Sequence, residues 1–403
     1  MDRRNRERIL VFSSREICYF SGSFFANQIA AAFEEMGFLV DVCELSRGDD
    51  LDARLTPYIG VAYRLILDFN SMLPQLVMDD DRSYLDMLNG PFYDYILDHP
   101  LFHYNSLNRE TDNLHVIVLD EAHEAYIRNY YPKVRSVYTL PLGATRALYQ
   151  GEKERECRVA FFGTYDTPEQ AYELIKAASE PLGSIMKDLL ERRLSDPLLP
   201  MEQAFEEYLM EDVTPLHVTP FHGVTLDTKQ FALYMNAIYA VDIYVRDYFR
   251  KAAIDELLTR RIPVTVFGNG WEKYSHTDES CLRREKALPF ALSFERMAKE
   301  HILLNVSPIF NRGMHDRVPA GMANRAVVLT DGNPYLRKHF SDGKQLCMYT
   351  LSEIHTLSER AGELLENCSV REKIAACAYE EFEKNHTWKC RAAQILCHLD
   401  GQS

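Results

Sequence analysis

Several features that define common classes of protein are missing from this sequence of 403 residues. No apolar run approaches the ~20 residues that a membrane-spanning helix needs, so we expect no membrane span. Nine cysteines are present without a C-x-x-C pair, which argues against a zinc ribbon or a thioredoxin-like site. Scattered cysteines of odd number are typical of free thiols in a reducing compartment. We therefore predict a cytoplasmic protein, and the short apolar segment after the basic amino terminus predicts no signal peptide.

Basic residues are also fewer than acidic ones: 45 Lys and Arg against 60 Asp and Glu give a formal net charge of −15. Such a surface argues against a general nucleic-acid binder, whose affinity depends on basic side chains meeting phosphates. It still permits a local basic pocket for a small phosphate ligand. Neither G-x-x-x-x-G-K-[S/T] nor G-x-S-x-G occurs, which excludes a P-loop and disfavours a serine hydrolase of that type.

The first 150 residues alternate between strand-like and helix-like segments. The apolar run 8–12 predicts a buried strand, and apolar residues at helical spacing predict a helix over Phe24–Met36, closed by Gly37. The next strand follows at 38–45, which makes a β-α-β unit with parallel strands. Further strands are predicted at 64–69, 91–97, 115–120 and 136–142.

A charged segment, GEKERE (151–156), is interpreted as a linker, and a second alternating series follows it. Strands are predicted at 301–308 and 326–331, and also at the start of 157–165 and of 263–271, where each strand runs into a glycine turn. Helices are predicted at 168–194, 200–211, 227–260, from Pro319, and over most of 352–399. Two such series predict an α/β protein with two Rossmann-like domains, 1–150 and 157–385, facing a central cleft. Ligands in such sheets bind beyond the carboxyl ends of the strands.

The first candidate site is Gly268-Asn269-Gly270-Trp271, directly after a predicted strand. Glycine lets a backbone approach a ligand closely, and Trp271 offers an apolar face. The alternative is a tight turn with a tryptophan in the core.

The second candidate is the loop that contains Gly313, Met314, His315, Asp316 and Arg317, followed by the helix from Pro319. A helix N-terminus attracts anions, and Arg317 adds a forked donor there, so the loop predicts a diphosphate site. The alternative is that Asp316 caps the helix and pairs with a neighbouring arginine. Asn305 lies near the end of one predicted strand and Asp331 is the last residue of another, so both are assigned to this site as well.

Three further sets of residues are weaker candidates. Asp98 or His99 could serve as a general base, although aspartate and histidine are also common turn residues. His99 and His103 could bind a metal ion only with a third ligand, which the sequence does not offer. Arg246, one helical turn before Arg250, could reach a phosphate or lie on a solvated face. Ser21 and Gly22 could bind an acceptor or begin a capped helix.

The sequence resembles the CgeB/YkvP-like glycosyltransferases of spore-forming bacteria, which are similar to GT-B enzymes. The matching segments are VTVFGNGW (264–271), ILLNVSP (302–308), GMHDRVPAGMANRAVVLTD (313–331), NHTWKCRAAQIL (385–396) and, more loosely, DHPLFHY (98–104) and VLDEAHEAYIRNYYP (118–132). The resemblance implies a GT-B fold with a nucleotide-sugar in the second domain and the acceptor in the first. It also implies metal-independent transfer without a cofactor and a terminal helix, 386–403, that returns to the first domain.

Two positions depart from the resemblance. Ala320 stands where many relatives carry a glutamate that holds the donor ribose, and Arg325 stands where a glycine usually precedes the last strand. From the resemblance as a whole we expect a glycosyltransferase that acts on a hydroxyl or amine. The two departures motivate the alternative, a non-catalytic nucleotide-sugar-binding or scaffold protein. An epimerase of the same architecture is a third hypothesis. Arg317 would stabilise the departing diphosphate, and Asp98 or His99 would be the base of an inverting reaction.

Overall fold

The computed structural model describes residues 7–14, 21–46, 48–78, 82–111, 113–148, 155–211 and 223–401. Two compact units are present. Unit 1 comprises the residues up to Thr145, Pro289–Leu292 and the residues from Lys384 onward, and unit 2 comprises Arg146–Leu288 and Ser293–Glu383.

Unit 1 is built on a parallel six-stranded sheet of order β2-β1-β3-β4-β5-β6. Its strands are β1 (Arg8–Ser14), β2 (Leu39–Leu45), β3 (Leu65–Phe69), β4 (Phe92–Tyr95), β5 (Leu114–Val118) and β6 (Ser136–Thr139). Its helices are α1 (Ser21–Glu35), α2 (Leu51–Leu55), α3 (Tyr104–Leu107), α4 (Glu121–Tyr130) and, from the carboxyl-terminal segment, α15 (Trp388–Gly401). The central strands β3, β4 and β5 are mostly apolar and entirely buried, as parallel strands covered on both faces require, and each contains one buried polar residue: Asp68, Asp94 and His115.

The carboxyl-terminal helix α15 belongs to unit 1 because Trp388 anchors it there. The Trp388 ring packs 5.7 Å from Phe25 of α1, and its Nε1 donates to Thr145 Oγ1 at 3.1 Å. Gly143 leaves room for this ring, since a Cβ there would lie 2.9 Å from Trp388 Cδ2.

Unit 2 repeats the parallel six-stranded design, with the order β12-β11-β10-β7-β8-β9. Its strands are β7 (Glu156–Phe162), β8 (Val264–Phe267), β9 (Leu282–Glu285), β10 (Glu300–Asn305), β11 (Val327–Asp331) and β12 (Cys347–Tyr349). The remaining helices are α5 (Pro168–Ala177), α6 (Leu182–Ser195), α7 (Met201–Met210), α8 (Thr228–Ala237), α9 (Tyr239–Thr259), α10 (Phe290–Met297), which crosses a unit boundary, α11 (Arg317–Ala323), α12 (Pro334–His339), α13 (His355–Glu366) and α14 (Cys368–Asn385).

The structure confirms the predicted fold of two Rossmann-like domains with parallel sheets and differs from the sequence prediction in detail. The helix predicted over 168–194 is two helices, α5 and α6, and the one predicted over 227–260 is interrupted between α8 and α9 at Ile238. The linker predicted at 151–156 lies largely outside the described residues, and its last residue, Glu156, is the first residue of β7.

Strand order reverses between β7 and β10 in unit 2, and between β1 and β3 in unit 1. The helices that follow two such neighbouring strands lie on opposite faces of the sheet, which leaves a crevice at the carboxyl ends of the strands. These two switch points are therefore where the folded chain offers ligand sites.

Candidate functional site

Arg317 lies at the switch point of unit 2, where it begins helix α11. Its Nη1 donates to Asn305 Oδ1 at 2.6 Å, and Asn305 is the last residue of β10. Its guanidinium carbon lies 5.1 Å from the centroid of the Phe161 ring, on β7. Burial lowers the pKa of Arg317, whose ordinary value is so high that the group stays charged at neutral pH.

Asn305 is held in one orientation, which fixes Arg317 in turn. Its Nδ2 donates to Thr330 Oγ1 and its Oδ1 accepts from Ser307 Oγ, both at 2.9 Å. Tyr349 OH donates to the Asn305 carbonyl oxygen at 2.9 Å. Because three neighbouring elements contribute these bonds, the arginine is positioned by the sheet itself rather than by a loose loop.

A second arginine, Arg250, reaches the same strand ends from helix α9. Its Nη1 donates to the Thr164 carbonyl oxygen at 3.2 Å, and its guanidinium lies 5.9 Å from the centroid of the Phe161 ring. Its Nε is buried and has no hydrogen-bond partner among the described residues. Burial lowers the pKa of Arg250 well below its ordinary value, and the positive charges of Arg246 and Arg317 lower it further.

Arg246 has a different environment. Its Nε donates to Asp247 Oδ1 at 2.9 Å, and the Asp247 side chain is 1% exposed. Arg246 therefore neutralises a buried carboxylate, whereas neither Arg250 nor Arg317 forms an ion pair with a carboxylate among the described residues. Nearby carboxylates favour the charged form of each group: Asp316 and Asp331 act on Arg317, and Asp247 acts on Arg250. Since neither guanidinium is ion-paired within the described ranges, both keep donors for an anion.

His315 and Asp316 precede Arg317 and pair with each other through His315 Nδ1 and an Asp316 oxygen. Asp316 makes no side-chain cap on α11. Although burial raises the pKa of Asp316, His315 and Arg317 outweigh it and the net pKa is lowered. Burial and then Arg317 lower the pKa of His315. A neutral imidazole beside an ionised carboxylate follows, and this carboxylate favours the charged form of Arg317.

Gly313, Met314 and Asp331 form the framework of this loop. The Gly313 carbonyl oxygen accepts from Asn333 Nδ2 at 2.9 Å, and Met314 is 1% exposed. Both carboxylate oxygens of Asp331 accept from the Ser307 N–H, at 3.1 and 3.0 Å, and burial raises the pKa of Asp331 to about 6. These hydrogen bonds fix the backbone at Ser307 and at Gly313, which lie close to Arg317.

The turn Gly268–Trp271 packs against the loop that follows β7. The Trp271 ring is 2% exposed, stacks 4.9 Å from Tyr165, and donates from Nε1 to the Gly163 carbonyl oxygen at 2.9 Å. A Cβ on Gly270, whose φ is +84°, would lie 1.9 Å from Tyr165 O. Asn269 O accepts from Tyr165 N at 2.9 Å, so the glycines serve a close approach between two protein loops.

The predicted residues of unit 1 lie at the carboxyl edge of its sheet. Asp98 is exposed and accepts from Asn70 Nδ2 at 2.8 Å. His99 is 2% exposed, its Nδ1 accepts from Leu101 N at 3.0 Å as a helix cap, and its ring lies 4.5 Å from that of His123. Asp98 is thus the more accessible proton acceptor of the two. Ser21 and Gly22 are buried in the first turn of α1.

The sequence predicts Arg246 as a donor-site residue, whereas the structure places Arg250 at these strand ends; the neighbouring Phe161 and Gly163 are not among the predicted residues. The available signal was the position of Gly163-Thr164 directly after a predicted strand. Within the described ranges, no group of three or more His, Cys, Asp or Glu residues is arranged to hold a metal ion. No helix of the described residues is long and apolar enough to cross a membrane.

Residues 246–397 match the family model described as glycosyl transferase-like. This segment includes Arg250, Arg317 and most of unit 2. A search of curated proteins found no match.

Solved structures with the same fold include three glycosyl-transfer enzymes. An alpha-glucosyltransferase in complex with UDP and DNA containing an HMU base is 13% identical, with a TM-score of 0.55 over 98% of this chain and 99% of that one. A sucrose-phosphate synthase from Thermosynechococcus elongatus is 12% identical, with a TM-score of 0.53 over 99% and 100%. The T4 phage BGT with its UDP-glucose substrate is 12% identical, with a TM-score of 0.50 over 97% and 99%. At these identities the likeness shows the fold, which is GT-B.

Proposed function

We propose that this protein, with its GT-B fold and glycosyl transferase-like domain, transfers a sugar from a nucleotide-sugar donor to an acceptor hydroxyl or amine. The donor diphosphate binds at the switch point of unit 2, where Arg317 and Arg250 meet it. The transfer is metal-independent, since the guanidinium groups supply the positive charge. The proposal includes the finer assignment to the CgeB/YkvP-like glycosyltransferases, which rests on the resemblance over 264–331 and 385–396.

The observation that carries the proposal is the pair of arginines without a carboxylate partner at the carboxyl ends of β7 and β10. The charge of Arg317 disfavours the charged form of the buried Arg250, and a bound anion would offset that repulsion. A diphosphate carries about the charge needed to relieve this repulsion, and guanidinium forks match phosphate oxygens.

During transfer the bond between the anomeric carbon and the diphosphate oxygen breaks, and the acceptor oxygen or nitrogen forms a new bond to that carbon. Negative charge grows on the departing diphosphate, where Arg317 is held in place by Asn305. A preorganised charge at that position lowers the barrier without reorganisation. In an inverting reaction the acceptor proton passes to a base, and we propose Asp98 because His99 is buried and acts as a helix cap.

The principal alternative is a protein that binds a nucleotide-sugar without transferring the sugar. Ala320 motivates it, because this residue is 3% exposed within α11 and offers no group that could hold a ribose. The two functions differ in a single outcome, which is whether the donor is consumed when it binds.

The proposed compartment is the cytoplasm. All cysteines in the described part of the chain are free, including the exposed Cys157 and Cys368, which fits a reducing environment.

A thermal-shift screen with UDP, GDP, CDP, dTDP and their sugars tests the donor site, because a ligand that binds only the folded state raises the Tm. We expect one nucleotide to raise the Tm of the wild type and not that of Arg317→Ala. Arg360→Ala, which removes an exposed arginine elsewhere in unit 2, is the matched control and should respond like the wild type. Absence of any shift in folded wild-type protein would contradict the proposal.

Turnover of the donor that binds then separates transfer from binding alone. Removal of one such charged donor lowers kcat by about 10²–10³-fold in comparable sites, and we expect that loss for Arg317→Ala. Binding without consumption of the donor, with water or any tested acceptor, would favour the non-catalytic alternative.

A further inference from the structure

Unit 2 contains a second basic pocket, at the opposite edge of its sheet from Arg317. This cavity of 330 Å³ is lined by Arg155, His301, Arg325, Arg371 and Glu372, together with small apolar side chains. Arg155, His301 and Arg325 lie at or just before the amino-terminal ends of β7, β10 and β11. Since His301 of this pocket and Asn305 of the donor site are four residues apart on β10, and strands rise ~3.3 Å per residue, the two sites are roughly 13 Å apart along the strand.

Two arginines of this pocket, Arg155 and Arg371, are held by backbone carbonyl oxygens rather than by carboxylates. Arg155 donates to the carbonyl oxygens of Glu300, Arg325 and Asn324 at 2.9, 2.8 and 3.0 Å. Arg371 donates from Nη1 to Leu365 O at 2.8 Å and also to Leu364 O. A carbonyl orients a guanidinium group and leaves its charge in place.

Glu372 is the one carboxylate that lines the cavity among the described residues, and its Oε1 accepts from Cys368 Sγ. Burial and then the charge of Arg325 lower the pKa of Arg155, with Glu300 opposing them. Burial, Arg371 and Arg155 lower the pKa of His301, which Glu372 opposes, so this imidazole is neutral at pH 7. Three guanidinium groups and one carboxylate give 3 − 1 = +2 in a protein whose net charge is −15.

Arg371 is 6% exposed, and its Nε has no hydrogen-bond partner among the described residues. A buried donor without an acceptor is unfavourable, and native structures normally give it one. An acceptor atom brought by a ligand would remove this penalty.

Arg325 provides an independent observation, because its backbone is strained. Its φ is +56°, in the left-handed region that favours glycine, and its guanidinium lies 3.9 Å from the centroid of the Tyr379 ring. Arg325 follows the end of α11, where its N–H bonds Met322 O and the Ala326 N–H bonds Gly321 O; glycine is the usual residue there, so an arginine is kept at a conformational cost. Here the side chain adds the third positive charge to the pocket.

We propose that this pocket binds a phosphate monoester of a small polar molecule, at a site separate from the donor site. A phosphate monoester carries about −1.5 to −2 charges at pH 7, which matches the +2 of the lining. The volume is larger than a phosphate ion needs and falls at the lower end of small-molecule sites, which leaves room for the organic part. The ligand phosphate accepts from Arg325 and Arg371, and the half-buried His301 faces its organic part.

Helix α11 connects the two sites. It begins at Arg317, and the carbonyl oxygens that Arg155 binds belong to Asn324 and Arg325, directly after its last residue. A bound phosphate monoester therefore lies beside the end of the helix whose other end carries the donor-site arginine.

Isothermal titration calorimetry with glucose 6-phosphate and with inorganic phosphate tests the proposal, with glucose as the uncharged control at matched ionic strength. We expect saturable binding of glucose 6-phosphate to the wild type, weaker binding of phosphate and none of glucose. Arg325→Gly should weaken glucose 6-phosphate at least tenfold while remaining folded, because glycine suits the left-handed backbone there.

Arg261→Gly is the matched control, since Arg261 is an exposed arginine of unit 2 with a φ of +57° outside the pocket. It should bind glucose 6-phosphate like the wild type, and so should Arg317→Ala. Absence of binding to the wild type would overturn the proposal, as would equal binding by Arg325→Gly or a loss in Arg317→Ala. Nucleotide binding by Arg325→Gly should persist, so failure of this site and failure of the donor site are distinguishable.

Discussion

The two units share one sheet design, and their switch points carry opposite chemistry. In unit 2 the carboxyl ends of β7 and β10 are flanked by Arg250 and Arg317. In unit 1 the strand ends beside the switch point carry carboxylates, with Asp68 directly across from Asp94 on β3 and β4. Parallel sheets impose the crevice in both units, while the side chains at the strand ends decide which ligand each crevice can accept.

The acidic pair of unit 1 organises a strained loop. Asn70 and Ser71 both have a φ of +58°. Asp94 accepts from Ser71 N at 2.9 Å, and Asp68 accepts from Leu73 N at 2.6 Å. Burial raises the pKa of both carboxyls, and Asp94 raises that of Asp68 further. Among the described residues, the ends of β3 and β4 therefore present acidic side chains, which disfavour a diphosphate there and are consistent with the proposal of a donor site in unit 2.

Gly270→Ala tests the scaffold of the unit 2 strand ends and should have the largest effect. The new Cβ would lie 1.9 Å from Tyr165 O in a left-handed backbone, so steric overlap and strain add. We expect a loss of about 2–6 kcal/mol in the free energy of unfolding, measured by urea denaturation. Gly60→Ala in unit 1 is the control, with a φ of +77° and open space, and should lose only about 1–2 kcal/mol. Equal losses in Gly270→Ala and Gly60→Ala would show that the left-handed backbone, and not the contact with Tyr165, is the reason for glycine at position 270.

Asp98→Asn tests whether the acidic strand ends of unit 1 take part in chemistry. The asparagine keeps the size and the contact with Asn70 but accepts no proton, so donor consumption should fall by about 10²–10⁴-fold if transfer is inverting. His99→Asn retains a helix cap without the imidazole and should keep near-normal rates. Initial rates of nucleotide release, with water as acceptor, measure both. A loss confined to His99→Asn would reverse this assignment.

Arg250→Met tests the second arginine at the switch point of unit 2. Methionine fills the buried space without the charge, and loss of a charge-assisted hydrogen bond should weaken nucleoside diphosphate binding by about 1.5–3 kcal/mol. Lys251→Met, on the same helix, removes a surface ion pair with Asp255 and should leave the affinity unchanged. Calorimetric titration compares them. Equal affinities of Arg250→Met and the wild type would leave Arg317 as the sole diphosphate contact.

Asp68→Asn should have the smallest effect, on the pH dependence of stability. The folded-state pKa of Asp68 is raised above its unfolded value of about 3.9, so the folded protein binds the extra proton. The resulting stability is fully present below the unfolded pKa and is lost as the pH rises through the raised folded pKa.

The Asp68 contribution should therefore lower the Tm between about pH 4 and about pH 8, and this fall should be smaller in Asp68→Asn by about 2–4 °C for each kcal/mol removed. The exposed Asp98→Asn serves as the control and should follow the wild type. A steeper fall in Asp68→Asn would contradict the raised pKa.

The fold was predictable because apolar periodicity marks most buried strands and their helices. The strands not predicted were β9 and β12. β9, LRRE, is a half-exposed edge strand with three charged residues, and β12 has only three residues, so neither carries a buried-strand pattern. The break at Ile238 was also invisible, because the apolar spacing continues through it.

The candidate site was predictable only in part. The position of Arg317, between a strand and a helix, identified it from the sequence. Arg246 and Arg250 share the same helical spacing, and only the folded structure shows that the first pairs with Asp247 while the second reaches Thr164. Trp271 is a second example: from the sequence, a tryptophan after a glycine turn could contact either a ligand or another protein loop, and only the structure shows that it contacts the loop at Gly163.

The sequence by itself determined the two alternating βα series, and with them the parallel sheets and the edges where ligands bind, because hydrophobic periodicity is a local property that burial of each segment enforces. Tertiary structure decided which arginines remain without an ion-paired carboxylate, that the Trp271 ring packs against a neighbouring protein loop, and that Arg155, Arg325 and Arg371 share one pocket. Those outcomes depend on residues distant in the chain meeting at strand ends, where charge, burial and hydrogen bonding are set jointly and no segment encodes them alone.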